Sequence, residues 1–256
     1  MAKMKIGFVQ PKLKPNAARD NLESCIGLAS TLDRPDLVVF PELVNTAYGF
    51  QNRRELWDIA EEIPAGASTR HLRDASRDMD CAIVAGLAER DGPLVHNSAS
   101  VVDAGKFVGR YRKVHLYGSE ARFFEPGRDF AEVYQRRKFR LAVQICLDLG
   151  FPDELGRLSR QGAQVVAHPA NLSIAHSGPP QTIKVKENHA YIVTSNRIGR
   201  EKAYSKPTTF TGESMILSPD LKILALASTD REEAQEVDVI LGAEELPQST
   251  TAGGVP

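Results

Sequence analysis

The chain has 256 residues, 42% hydrophobic and 25% charged, an ordinary balance for a globular chain able to bury a large core. Its formal net charge of −1 supplies no global field to hold nucleic acid or an anionic membrane. The 3 cysteines, Cys25, Cys81 and Cys146, are odd in number and widely spaced, which argues against a disulfide framework and for a reducing, cytoplasmic setting.

In chain order, Lys5–Val9 reads as the first strand. The residues before it carry charge but no apolar h-region, so no signal peptide is expected. No apolar run approaches the roughly 18 residues of a membrane span. Asn16–Ser30 reads as a helix, with apolar or small residues at 18, 22, 25, 26 and 29. Leu37–Phe40 is a continuous apolar strand stopped by Pro41. Ser68–Met79 reads as a helix with Ser68 at its N-cap. The strands Cys81–Ala88, Val95–Val102 and Phe107–Arg112 follow, with Asp-Gly and Ala-Gly turns between them. Lys138–Ile145 reads as the next strand, and Arg136-Arg137-Lys138 as a solvated hairpin tip. Phe151–Gln161 reads as a helix with Phe151, Leu155 and Leu158 on one face. Gln164–Ala167 is a short buried strand, Thr182–His189 a helix and Tyr191–Arg197 a strand. Strands near 214–217, 223–227 and 236–240 close the pattern, and the tail 247–256, rich in Ser, Thr, Gly and Pro, is expected to be flexible. Residues 1–246 then form a single domain.

This is neither a pure βαβ alternation nor all-β. Its mixed α+β and α/β character fits two mixed sheets packed face to face with helices outside.

Glu42, Lys113 and Cys146 each stand at or just beyond the carboxyl end of a strand, where α/β proteins gather their sites. A thiol nucleophile needs a base, its tetrahedral intermediate needs a positive donor, and the second half-reaction needs a carboxylate to activate water. Taken singly each residue has a plainer role: a core cysteine, a helix-start carboxylate, a solvated lysine. Cys25 and Cys81 fit the plainer role. The histidines show no zinc-ligand spacing, and His115 and His168 read as structural or pocket-lining.

Several blocks carry a family resemblance. They are Phe40-Pro41-Glu42-Leu43 with Tyr48-Gly49, then Tyr111-Arg112-Lys113-Val114-His115-Leu116 with Glu120 and Phe124-Glu125-Pro126-Gly127. Ile145-Cys146-Leu147-Asp148 with Phe151-Pro152-Asp153 follows, then His168-Pro169-Ala170-Asn171, Glu187-Asn188-His189-Ala190-Tyr191, Ser195-Asn196-Arg197-Ile198-Gly199 and Phe210-Thr-Gly-Glu-Ser214. In this order they resemble the nitrilase superfamily of carbon–nitrogen hydrolases, closest to its small aliphatic amidase and nitrilase-like branch. The resemblance implies a four-layer αββα sandwich and a Glu42–Lys113–Cys146 site without cofactor or metal. It implies Glu120 in support of Lys113, the Leu147 N–H as oxyanion partner, and Tyr48, Leu147 and Asn171 at the substrate. It also implies a homodimer formed through the Phe151–Gln161 helix. The expected reaction takes a small amide to a carboxylic acid and ammonia; a nitrile, an N-carbamoyl substrate, or a catalytically silent binding or assembly role are the alternatives. Two positions depart from the family: Leu147 and Leu172 stand where aromatic residues are common, which changes the pocket's shape.

Overall fold

Strand residues of this chain alternate between two buried faces, and the alternation builds the layers. The computed structural model describes residues 2–129, 131–173, 189–204 and 206–242. The first half contains β1 (Ala2–Gln10), α1 (Ala18–Ala29), β2 (Leu37–Val39), α2 (Arg53–Ile59), α3 (Ala67–Asp78), β3 (Ala82–Asp91), β4 (Leu94–Asp103) and β5 (Lys106–Arg112). The second contains β6 (Tyr134–Gln135), β7 (Arg140–Val143), α4 (Pro152–Arg160), β8 (Val165–Pro169), β9 (Tyr191–Ser195), β10 (Ile198–Ala203), β11 (Lys206–Thr211), β12 (Met215–Leu217), β13 (Ile223–Leu226) and β14 (Glu233–Leu241). The helix expected over Thr182–His189 falls almost wholly outside the described residues, as do the Glu187-Asn188 block and the tail 247–256.

Two six-stranded mixed sheets result, ordered β14-β1-β2-β3-β4-β5 and β13-β12-β9-β8-β7-β6. In each, a parallel centre (β1-β2-β3 and β7-β8-β9) is flanked by antiparallel strands. Met4, Ile6, Phe8, Leu37, Val39 and Val84 point to the core between the sheets, where Leu141, Val143, Val165 and Val193 also lie. Their sequence neighbours Val9, Val38, Phe40 and Ile83 point the other way, onto Leu22 and Cys25 of α1 and Leu72 and Ala75 of α3. Leu37–Phe40 is unbroken in its apolarity because both faces of a central parallel strand are covered. The expected αββα layering is therefore the observed one, with α1 and α3 outside one sheet and α4 outside the other.

The structure corrects several local readings. Helix α3 begins at Ala67 with Gly66 as N-cap, and Ser68 lies inside the first turn. There the Glu61 carboxylate accepts from both the Ser68 N–H and its hydroxyl, doing from a distant segment what a capping side chain does locally. Arg136-Arg137-Lys138 does form a hairpin tip, between β6 and β7, with Arg137 and Lys138 exposed as expected, but it is also clasped by acids. Arg136 pairs with Asp103, Arg137 with Asp80 and Asp103, and Lys138 with Asp36. These acids belong to segments leading into and out of the other sheet, so the clasp ties the two sheets at one edge.

Helix α4 also differs from expectation. Leu155 and Leu158 are fully buried in the chain's own core, with Ala142, Val166 and Ile192. The outer face of β7-β8-β9 must be covered, and the helix that directly follows β7 covers it. The Leu155–Leu158 face is therefore not the subunit surface anticipated from the sequence. Phe151, the third residue of that set, is 39% exposed and stacks on His115 instead.

Helix α2 and the two-stranded β10–β11 hairpin have weak sequence signals. Helix α2 has 7 residues and buries only Leu56, although Asn52 caps it by accepting from the Glu55 N–H. The hairpin is polar along most of its length, charged in the middle of β10 and threonine-rich in β11, and forms a sheet of its own.

Leu158→Ala should cost about 2–5 kcal/mol of stability, the usual result of opening a cavity under a buried leucine. Chemical denaturation at several protein concentrations checks this. A cost that changes with concentration would return the face to a subunit contact.

Candidate active site

Glu42 follows β2 through Phe40-Pro41 in a tight turn that carries Leu43 at φ 54° and Ala47 at φ 46°. This turn lies directly on Gly86 of β3. The Gly86 N–H donates to Pro41 O at 3.0 Å, and the Val44 N–H donates back to Gly86 O at 2.8 Å. A Cβ at Gly86 would sit 2.5 Å from the Glu42 Cα, so only glycine admits the approach. Lys113 continues β5 by one residue, its N–H donating to Asn97 O of β4 at 2.8 Å.

Lys113 and Glu42 are each about 1% exposed and Glu120 2%, so three charges are sealed together. The Lys113 Nζ donates to Glu42 Oε1 at 2.9 Å and to both Glu120 oxygens at 2.9 and 2.8 Å. Asn97 bridges the two carboxylates, donating through Nδ2 to Glu42 Oε1 at 2.6 Å and Glu120 Oε1 at 3.3 Å. Glu120 accepts further from the Tyr117 N–H at 2.6 Å and the Tyr204 hydroxyl at 3.2 Å. Both Glu120 oxygens are thus occupied. Glu42 Oε2, by contrast, is buried without a hydrogen-bond partner among the described residues. One carboxylate is saturated and the other keeps an acceptor in reserve.

Burial raises the Glu42 carboxyl above its ordinary range; the Lys113 charge opposes this and Glu120 adds to it. Burial alone would lower Lys113, but Glu42, Cys146 and Glu120 outweigh it and hold the ammonium well above its usual range. Lys113 is therefore a fixed cation and Glu42 the group whose proton can move.

Cys146 opens a 3-10 turn, Cys146–Gly150, at the end of the β7 segment, with φ 47°. A left-handed cysteine between strand and helix turns its side chain away from the run of the strand and costs backbone strain that the surroundings must hold. Two buried residues hold it. Asp148 accepts the Ile145 N–H at 3.2 Å, the Tyr111 hydroxyl at 2.9 Å and the His115 N–H at 2.8 Å, tying the cysteine turn to the lysine segment. The His168 Nε2 lies 2.9 Å from Cys146 O and so donates to it, while Nδ1 meets the Thr194 hydroxyl. Both histidines singled out from sequence are structural in this sense.

Burial pushes the Cys146 thiol up; Glu42 reinforces this and Lys113 opposes it, with the Asn171 N–H also favouring the thiolate. The thiol is thus neutral at rest beside a carboxylate able to take its proton. Cys25 and Cys81 are also raised, Cys81 to about 12, by burial first and by nearby carboxylates second, Glu232 at Cys25 and Asp103 and Asp80 at Cys81. Leu147 is the second residue of the 3-10 turn, where an N–H has no intrahelical acceptor. Asn171 donates through Nδ2 to Glu42 O at 3.0 Å and to the Tyr48 hydroxyl at 3.4 Å, and its Oδ1 is buried without a partner among the described residues. Burial, then the Glu42 and Glu120 charges, keep the Tyr48 hydroxyl neutral.

All seven residues singled out from sequence, Glu42, Tyr48, Lys113, Glu120, Cys146, Leu147 and Asn171, therefore converge. Asn97 and Tyr204 were not foreseen. Neither carried a clear signal: Asn97 stands in the polar stretch His96-Asn97-Ser98 of β4, and Tyr204 in a turn. Among the described residues no cluster of metal-ligating side chains is found, and no helix is long and apolar enough to cross a membrane.

Comparison with known proteins agrees with this geometry. Residues 5–245 match the family model described as carbon-nitrogen hydrolase. A protein named nitrilase from Pyrococcus abyssi is 40% identical over 93% of this chain and 91% of its own length. An (R)-stereoselective amidase from a Pseudomonas species is 32% identical over 89% of this chain and 82% of its own. In fold, the chain matches a cysteine-to-alanine mutant of the Nesterenkonia AN1 amidase from the nitrilase superfamily, with a TM-score of 0.80 at 23% identity over 92% and 90% of the two chains.

Gly86→Ala should displace the Glu42 turn and slow alkylation of Cys146 by about 100-fold, the scale of a misplacement near 1 Å. Mass spectrometry after timed iodoacetamide exposure reads it, with circular dichroism to confirm the fold. Wild-type alkylation would show that the glutamate turn is not coupled to the thiol.

Proposed function

We propose a substrate class and a route for a chain that belongs to the carbon–nitrogen hydrolase family, within the nitrilase superfamily. Membership makes it a carbon–nitrogen hydrolase. The finer reading is that it hydrolyses a small amide to a carboxylic acid and ammonia through a cysteine thioester. The observation that carries this is the unpartnered Glu42 Oε2 in a pocket where every other charge is satisfied.

In the route that follows, Glu42 takes the Cys146 proton as the sulfur attacks the amide carbon. The oxyanion is held by the Lys113 ammonium and the Leu147 N–H, which act where charge develops. Collapse returns the proton from Glu42 to the leaving nitrogen and releases ammonia, leaving a thioester on Cys146. Glu42 then deprotonates a water, which attacks the thioester; the thiolate leaves, regains its proton, and the acid departs. Glu120 takes no proton in this scheme, since both its oxygens are engaged; it fixes Lys113. Tyr48 and Asn171 line the substrate side.

An amide is favoured over a nitrile on physical grounds. A carboxamide brings N–H donors to the acceptors Glu42 Oε2 and Asn171 Oδ1, whereas a nitrile brings none. Nitrile hydrolysis by the same residues is the second reading, favoured by the relative named nitrilase. Brief exposure to matched amides, nitriles and N-carbamoyl compounds, followed by intact-mass spectrometry, separates them: the amide reading expects an acyl adduct on Cys146 and free ammonia. We also read the chain as a cytoplasmic homodimer, by family resemblance; sedimentation showing a monomer throughout the micromolar range would refute the dimer.

Cys146→Ala should lower turnover by several orders of magnitude with the fold intact, because groups acting as a unit fail together. Lys113→Ala should slow acylation by roughly 10²–10³, as for a lost oxyanion donor. Near wild-type acylation in either variant contradicts the route.

The pH profile offers a separate check. Glu42 must be ionised to act as base and its carboxyl is raised by burial. Activity should therefore fall on acidification at a pH above the ordinary glutamic acid value of about 4.3. An acid limb of kcat/KM at or below that value would assign the base elsewhere.

A further inference from the structure

We propose that Tyr204, at the turn of the β10–β11 hairpin, is a positioning residue that holds Glu120 against Lys113, so that the hairpin belongs to the catalytic apparatus. The inference rests on the Cys146 site proposed above.

The hairpin stands outside both main sheets. Along β10 only Ile198 and Ala203 are buried, and along β11 only Phe210. Its tip is nevertheless fastened. The Tyr204 ring meets Tyr48 edge-on at 4.9 Å, and packs against Phe123 at 5.2 Å and Phe50 at 6.1 Å. Phe210, across the hairpin, stacks on the other side of Tyr48 at 5.7 Å. Tyr204 takes φ 50°, a backbone region that bulky side chains rarely adopt. Such an outlier persists only where the surroundings over-determine it, and it often marks a functional constraint.

The hydroxyl that this conformation delivers donates to Glu120 Oε1 at 3.2 Å. Glu120 sits on the 3-10 turn Gly118–Arg122, whose neighbour Tyr117 is 60% exposed. From its own segment the carboxylate receives one donor, the Tyr117 N–H. The other groups facing it come from elsewhere: Lys113 after β5, Asn97 from β4, Glu42 after β2, and Tyr48 beside them. Tyr204 is the clamp supplied by the hairpin. Burial first, with the Glu120 and Glu42 charges adding to it, keeps its hydroxyl neutral, so it remains a donor. Losing that donor leaves Glu120 Oε1 to Lys113 and the longer Asn97 bond alone, and loosens the carboxylate on that side. Lys113 then loses the fixed geometry on which thiolate and oxyanion stabilisation depend, without any change at the substrate itself.

The test is Tyr204→Phe, which keeps the ring contacts and removes the hydroxyl alone, with Tyr204→Leu as the ring-deleting control. Tyr204→Phe should lower kcat on a small amide about 10-fold, the scale of one hydrogen bond to a charged group, with KM within about twofold and an unchanged melting temperature. Iodoacetamide alkylation of Cys146 should slow by a similar factor, which needs no knowledge of the substrate. Tyr204→Leu should lose melting temperature as well. Wild-type kcat and alkylation in Tyr204→Phe would overturn the proposal. So would a fall in melting temperature with kcat and KM shifted together, the mark of a merely structural tyrosine. A wild-type protein that alkylates rapidly but turns over no amide defeats the amide reading, and its alkylation arm still decides Tyr204. A wild-type protein that does neither defeats both.

Discussion

Three charges buried within hydrogen-bonding distance of one another govern this molecule. An isolated ion sealed from water is very costly, and a pair breaks even only when its geometry is good and its remaining donors and acceptors are satisfied. Lys113 achieves this with three carboxylate contacts, and Asn97 supplies the donor that lets two carboxylates share one ammonium. Burial pushes the Glu42 carboxyl upward, Lys113 opposes this, and the second carboxylate, Glu120, adds to it. The cluster is expensive for folding and useful for chemistry for the same reason: its groups cannot be solvated, so their only partners are each other and whatever enters.

The backbone around the cluster is shaped to deliver it. Glu42, Lys113 and Cys146 follow the ends of β2, β5 and β7, and the Lys113–Glu42 and Tyr111–Asp148 bonds tie those ends together. The turns that carry them are tight. Leu43, Ala47 and Cys146 all lie at positive φ, and Gly86 accepts the Glu42 turn at a distance no side chain would allow. Such conformations survive because long-range bonds hold them: Asp148 links the cysteine turn to Tyr111 and His115, and His168 grips the Cys146 carbonyl.

Much of this was legible in the sequence. Period-two alternation in Met4, Ile6 and Phe8, the unbroken apolar Leu37–Phe40, and the Asp-Gly and Ala-Gly turns located most of the strands and their order. Glu42 and Cys146 follow apolar strands and Lys113 a basic one; each has a plainer role when taken singly, and it was the set of three at strand ends, with the motif blocks around them, that made them visible. What was hidden had weak local patterning. Helix α2 is short and buries a single leucine, and the β10–β11 hairpin is mostly polar, so neither carries a hydrophobic period. Ser68 looked like a cap because sequence shows only neighbours, whereas the acceptor there is Glu61.

The sequence by itself determined the layers and most of the strands, which follow from periodicity over a few positions, and its motif blocks, by resemblance, singled out Glu42, Lys113 and Cys146 as candidates. Only the tertiary structure decided how those groups divide their roles. Glu42 and Glu120 are the same residue type, and nothing local distinguishes them. Glu120 becomes the saturated partner because Asn97, Tyr117 and Tyr204 converge on it, and Glu42 keeps a free oxygen because its own donors, Asn97 and Lys113, both meet Oε1. The apolar face of α4 was likewise ambiguous until its neighbours were placed, since an amphipathic helix records that one side is buried but not against what. Hydrogen bonds and packing partners drawn from residues 42, 97, 113, 120, 146 and 204 span most of the chain. Patterning reaches a few residues, so convergence over that separation exists only once the sheets have stacked.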